Sequence, residues 1–178
     1  MIRLFVALEL PEPVRTRLAG LSGGVPGARW TESETMHLTI RFIGEVEPPA
    51  VPEIDEALAS VRAPGFDLVL TGVGHFGQGR KARVLWAGVE RNDALAHLNQ
   101  KVESALVRAG LPPEERRFSP HVTLARLKDA SPDRLARFME ERASFRTEPF
   151  AVRHFTLFES RPGKGGPVYE PLQDYPLD

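Results

Sequence analysis

Two tetrapeptides carry the residues best suited to chemistry, His37-Leu38-Thr39-Ile40 and His121-Val122-Thr123-Leu124. They lie about half a chain length apart. On a β-strand, successive side chains alternate between faces, so each histidine shares a face with the threonine two residues on, while the apolar pair points the other way. An imidazole exchanges a proton near neutral pH. A hydroxyl donates a hydrogen bond to a phosphate oxygen. Two such pairs facing each other supply a base for an entering oxygen, an acid for a leaving oxygen and donors for the non-bridging oxygens. An in-line displacement at phosphorus needs those groups and no metal.

Other readings of the same residues are blander. A single His-x-Thr is ordinary on a strand surface, and only the repetition sets this one apart. A metal site is poorly served, because each motif offers one histidine and no carboxylate at ligand spacing. The one Gly-x-Ser-x-Gly match, Gly20-Leu21-Ser22-Gly23-Gly24, reads as the end of a helix rather than a strand-to-helix elbow, so it does not favour a serine hydrolase. The chain contains no cysteine, which excludes thiolate zinc sites, disulfides and a cysteine nucleophile. Net charge is −1, so no global basic field recruits a polyanion, and local cations must hold any phosphate.

Several residues are candidates for that role. Arg41, four residues after His37, shares its face if the strand is unbroken. Arg126, five after His121, does not. Arg80, Lys81 and Arg83, and Arg116 with Arg117, are further cations that could meet RNA phosphates, a solvated surface being the bland alternative. Phe76, between His75 and Gly77 in an expected loop, and Phe118 are candidates to stack on a base. Phe118 fits the core equally well. His75, His97 and His154 lack a repeat partner. Trp30 and Trp86 read as core.

The elements that position these residues follow from hydrophobic periodicity. Strands are expected at 2–10, 28–31, 36–43, 66–73, 83–89, 121–127, 150–158 and 168–172, with a Gly-rich connection over 72–79. Helices are expected with Val14, Leu18 and Leu21, with Ile54, Leu58 and Val61, and with Leu135, Phe138 and Met139 on their apolar faces. The clearest helix is 92–109, striped by Leu95, Leu98, Val102, Ala105, Leu106 and Ala109 and closed by Gly110 and Pro112. The order is mixed and lacks a Gly-rich phosphate fingerprint, which favours α+β over a doubly wound sheet. The N-terminal run Ile2 to Leu8 reads as a buried strand rather than a leader. No stretch of about 18 apolar residues exists to span a membrane. These features, with the missing cysteines, fit a cytoplasmic protein.

At these residues the sequence resembles the 2H phosphoesterases, specifically the RNA 2′,3′-cyclic phosphodiesterases also known as 2′-5′ RNA ligases. The segments 3–11, 36–46, 83–89, 117–126 and 169–172 all take part, so the likeness runs nearly end to end. It implies one domain over 1–178, built from two intertwined lobes. These form a pseudo-symmetric α+β fold with antiparallel sheets, flanking helices and a central cleft. It implies His37 as proton donor and His121 as acceptor, with Thr39, Thr123 and Arg126 binding substrate; Arg41 and Phe76 stay as candidates beside them. It implies RNA ends bearing a cyclic phosphate, tRNA-derived ends among them, or nucleotides as ligands. No cofactor, metal or membrane is implied, and a monomer is expected. A small cyclic nucleotide, a 2′-5′ oligonucleotide and a non-catalytic RNA-end-binding module are the rival readings.

Overall fold

The structure is a computed structural model that describes residues 1–178. In chain order the elements are β1 (Ile2–Glu9), α1 (Glu12–Ala19), β2 (Arg29–Trp30), β3 (His37–Val46), α2 (Val51–Ala59), β4 (Phe66–Leu68), β5 (Leu70–Phe76), β6 (Val84–Val89), α3 (Asp93–Arg108), β7 (His121–Arg126), α4 (Pro132–Glu141), β8 (Phe150–Val152), β9 (His154–Arg161) and β10 (Val168–Pro176). The architecture is α+β, and all strand pairs are antiparallel.

The large sheet runs β10-β9-β1-β3-β7-β6-β5, with β2 on β7, and a small sheet pairs β4 with β8. Apart from the edge strand β10 and the short β2, the order is symmetric about β3 and β7, the two strands that begin at the motif histidines. Each half also donates a strand to the other: β5 follows the first motif yet pairs with β6, and β9 follows the second yet pairs with β1. One cluster of 37 buried residues spans both halves, so neither half has a core of its own. β3 and β7 meet at one pair, Leu38 with Val122, both fully buried.

The structure corrects the expected boundaries where strands change partners. The stretch 66–73 is two strands, because β4 joins the small sheet and β5 the large one. The stretch 150–158 divides in the same way into β8 and β9. β5 continues through the glycines read as a connection, so Phe76 ends a strand rather than sitting in a loop. Strand β10 extends past Leu172 to Pro176, because its ladder with β9 resumes after an irregularity at Pro171. Buried Tyr175 near its end donates to Asp55 of α2 at 2.6 Å. Leu21 and Val61 lie just beyond the ends of α1 and α2. With Ala109 as its end cap and only half-buried, the helix α3 buries its expected stripe from Leu95 to Leu106. Asn92 caps it by accepting from the Leu95 N–H at 3.0 Å and donates to the Asp67 carbonyl at 2.8 Å, which ties it to β4.

Candidate active site

The Leu38–Val122 pair lies at the centre of the site. Extending its antiparallel register by one residue each way sets His37 toward Thr123 and Thr39 toward His121. All four side chains turn to the face away from the main core and line one cavity of about 640 Å³, together with Arg3, Arg29, Arg126 and Tyr169. Each histidine therefore stands beside the other motif's hydroxyl.

Both imidazoles are held the same way. His37 Nδ1 lies 2.8 Å from the Thr35 carbonyl, and His121 Nδ1 lies 2.7 Å from the Ser119 carbonyl. A carbonyl oxygen only accepts, so Nδ1 carries the proton in each ring. Nε2 is then the atom that gains or loses a proton. Aromatic rings hold the ring planes. Phe5 lies 4.9 Å from His37 and Tyr169 meets it edge-on at 5.1 Å, while Phe76 meets His121 edge-on at 4.9 Å. Burial pushes the His37 pKa below the ordinary 6.5; the Thr35 carbonyl opposes this in part and the charge of His121 adds to it. Burial raises the Tyr169 pKa, against the pull of Arg126.

A duplicated bulge decides which cation reaches the cleft. In β3, Ala7 opposes Thr39 and Val6 opposes Arg41, leaving Ile40 as an extra residue. In β7, Trp86 opposes Thr123 and Leu85 opposes Ala125, leaving Leu124 extra. Each bulge reverses the alternation beyond it. The expectation for Arg41 is thereby corrected: it turns from the cleft and is buried, donating to Glu103 at 2.9 and 3.2 Å, to the Pro112 carbonyl at 2.7 Å and to the Phe42 carbonyl at 2.9 Å. Asn99, one turn before Glu103 on α3, donates to the carbonyl of Ile40 at 3.1 Å. Arg126 turns the other way, into the cleft lining.

At the position matching Arg126 in the first motif stands Phe42, exposed and part of the lining. Sequence reasoning missed it. The signal was available: both residues follow their histidine by five, so a repeat-by-repeat alignment pairs them.

The remaining candidates disperse. Phe76 packs on His121. Trp86 is not core: it lies on the cleft side, over Gly74, where any Cβ would fall 2.2 Å from its ring. Trp30 packs on Phe138 at the edge of the core but is only half-buried and also lines the first cavity, so the core reading holds only in part. Phe118 packs partly on the core and also lines a second cavity with Arg116 and Arg117. Arg80, Lys81 and Arg83 are exposed around the β5–β6 turn, with Arg80 3.6 Å from Asp129. His75 bonds the Gly77 carbonyl and His97 is exposed.

His154 is not isolated. Its Nε2 lies 3.2 Å from Glu9, and with Asp174 these donors fall within 4.8 Å of one another. That trio is the one group with metal-ligand character. Its members already satisfy each other, since the Thr156 hydroxyl donates to Asp174 at 2.7 Å and lies 3.2 Å from Glu9. No helix is long and apolar enough to cross a membrane.

Known proteins are similar to this chain in sequence and fold. The family model described as LigT like Phosphoesterase matches residues 8–86 and 88–169. Similar proteins include an RNA 2′,3′-cyclic phosphodiesterase of Aeropyrum pernix, 37% identical over 153 residues, covering 85% of this chain and 86% of the relative. Another, of Thermotoga maritima, is 33% identical over 179 residues, covering 97% and 94%. Among solved structures, Escherichia coli LigT complexed with 3′-AMP matches with a TM-score of 0.77 at 29% identity, covering 99% of this chain and 98% of that one. TT0787 of Thermus thermophilus matches at 0.81 with 26% identity, covering 98% and 97%.

Proposed function

The chain belongs to the LigT-like family of 2H phosphoesterases, and on that premise we propose that it hydrolyses the 2′,3′-cyclic phosphate end of RNA to a 2′-phosphomonoester. The observation that carries the reading is the rectangle of His37, Thr39, His121 and Thr123, with both Nδ1 atoms committed to carbonyls. In the proposed reaction His121 Nε2 takes a proton from water as the water oxygen attacks phosphorus. The P–O3′ bond breaks, and His37 Nε2–H delivers its proton to the leaving O3′. Thr39 and Thr123 donate to the non-bridging oxygens, and Arg126 balances their charge. Burial lowers the His37 pKa, and an anionic phosphate between the rings favours its charged form. Phe76 supports His121 by edge contact.

The test is a metal-free incubation of an oligonucleotide ending in a 2′,3′-cyclic phosphate, with the product position determined. A 2′-phosphate is expected; a 3′-phosphate, or no turnover, overturns the reading. A cyclic mononucleotide run beside it weighs the small-nucleotide alternative, which gains support from the solved structure of Escherichia coli LigT complexed with NADP⁺.

A pH profile follows from the buried imidazole. Catalysis needs one protonated and one neutral histidine, so kcat/KM is bell-shaped. As pH falls, activity is lost when the second proton binds the pair. Burial of His37 resists that proton, so the acid limb is expected below 6.5. An acid limb above 6.5 contradicts this.

A further inference from the structure

Strand β2 presents Arg29 directly opposite Arg126 in its short ladder with β7, and both side chains are exposed and line the first cavity. Opposed residues of an antiparallel pair share a face and stand side by side, and like charges so placed repel. No carboxylate relieves this pair. Neither guanidinium takes part in an ion pair, although Glu32 lines the same cavity. The surrounding structure nonetheless holds the two together. The Thr31 N–H donates at 2.8 Å to the carbonyl of Leu124, the bulge residue that turns Arg126 into the cleft, and Trp30 anchors β2 on Phe138. Two adjoining cations without a counter-charge, fixed on a ladder at the wall of a cavity, form a receptor for an anion.

Their position in the cleft says which anion. Strands β3 and β7 are antiparallel about Leu38–Val122, so β7 runs past Thr123 to Arg126 at the end of the rectangle where His37 stands. Arg116 and Arg117 lie at the other end, with His121. In-line displacement puts the entering water and the leaving O3′ on opposite sides of phosphorus. O3′ stays on its ribose, which remains attached through O2′. The terminal nucleoside, and the strand on its 5′ side, therefore extend from the His37 end. One guanidinium suffices for the charge of the reacting phosphate. We propose that Arg29 binds a second phosphate, the one on the 5′ side of the terminal nucleoside, a proposal that rests on the hydrolytic reading above. Arg126, between the two phosphates, serves both. Arg29 thereby makes the cleft select an RNA strand over a nucleoside 2′,3′-cyclic phosphate, whose 5′ end is a bare hydroxyl. It sets specificity and takes no part in the proton transfers.

The experiment offers the full chain three substrates: a nucleoside 2′,3′-cyclic phosphate, a dinucleotide ending in that group, and the same dinucleotide with its internal phosphate replaced by an uncharged methylphosphonate. The wild type is expected to favour the ordinary dinucleotide over both others by about tenfold in kcat/KM, the effect of one charge-assisted contact. The preference is carried by KM rather than kcat and shrinks as salt is raised. In Arg29→Ala it is expected to fall about fivefold or more, with Arg29→Lys in between. Arg29 is exposed and outside the core, so its variants fold. Equal turnover of the two dinucleotides by the wild type, or an unchanged preference in Arg29→Ala, overturns the proposal alone. If Arg29→Ala slows all three substrates by one factor, the residue acts at the reacting phosphate and the proposal is wrong. If the wild type hydrolyses none of the three, the functional reading fails and the proposal with it.

Discussion

His37→Ala and His121→Ala each lower kcat on a cyclic-phosphate oligonucleotide by about 10²- to 10⁴-fold, the contribution of one positioned acid or base. The fold survives both changes. Neither ring belongs to the apolar core, and each makes one hydrogen bond, to Thr35 or Ser119. Losing such a bond costs about 1 kcal/mol. The double variant loses little more than either single one, because the two groups act in a single step. Circular dichroism and the unfolding midpoint check the fold, and single-turnover rates check the chemistry.

The same pair of variants separates acid from base. A 3′-deoxynucleoside 2′-phosphate esterified to 4-nitrophenol has a leaving group that needs no proton and no neighbouring 3′-hydroxyl to expel it. His37→Ala is expected to regain most of its lost rate on that ester, while His121→Ala stays slow because its water still lacks a base. Recovery in His121→Ala instead reverses the two roles. Full activity of either variant on the cyclic phosphate ends the two-histidine mechanism.

The histidines and threonines were legible in the sequence because alternation along a short strand holds within each motif. The strand exchange was not legible, since nothing in the periodicity reveals that β5 pairs with β6 and β9 with β1. Alternation failed one residue past each motif. Ile40 and Leu124 are ordinary apolar strand residues, and no glycine or proline marks the bulge at either. What holds the first bulge is distant in sequence, Asn99 and Glu103 on α3. A tertiary contact thus overrode a local rule, and Arg41 and Arg126 exchanged faces. Strands β4 and β5 read as one run for a related reason. Their apolar pattern is continuous, and only the choice of partner strand separates them.

That exchange yields the largest expected effect on stability. Arg41→Ala removes a guanidinium that is 6% exposed and whose partner carboxylate is 27% exposed. Glu103 keeps only the Glu114 N–H at 3.1 Å, and the carbonyls of Pro112 and Phe42 lose their donor. Breaking a buried pair from one side costs about 3–5 kcal/mol, and because Glu103 retains some solvent, the lower end, about 3 kcal/mol, is expected. The pH dependence has a definite sign. The hydrogen bond from Arg41 holds the Glu103 carboxyl below the ordinary 4.5, so the stabilisation is present above 4.5 and is lost as pH falls through the lowered value. The gap between wild type and variant in denaturant melts therefore narrows in acid. Arg41→Lys keeps the charge but not the forked contact, and falls between the two. Arg126→Ala is expected to do the opposite: stability within about 0.5 kcal/mol of wild type, and kcat/KM for the cyclic phosphate down about tenfold or more through the lost charge-assisted contact. If Arg41→Ala instead loses activity at unchanged stability, the face assignment produced by the bulges is wrong.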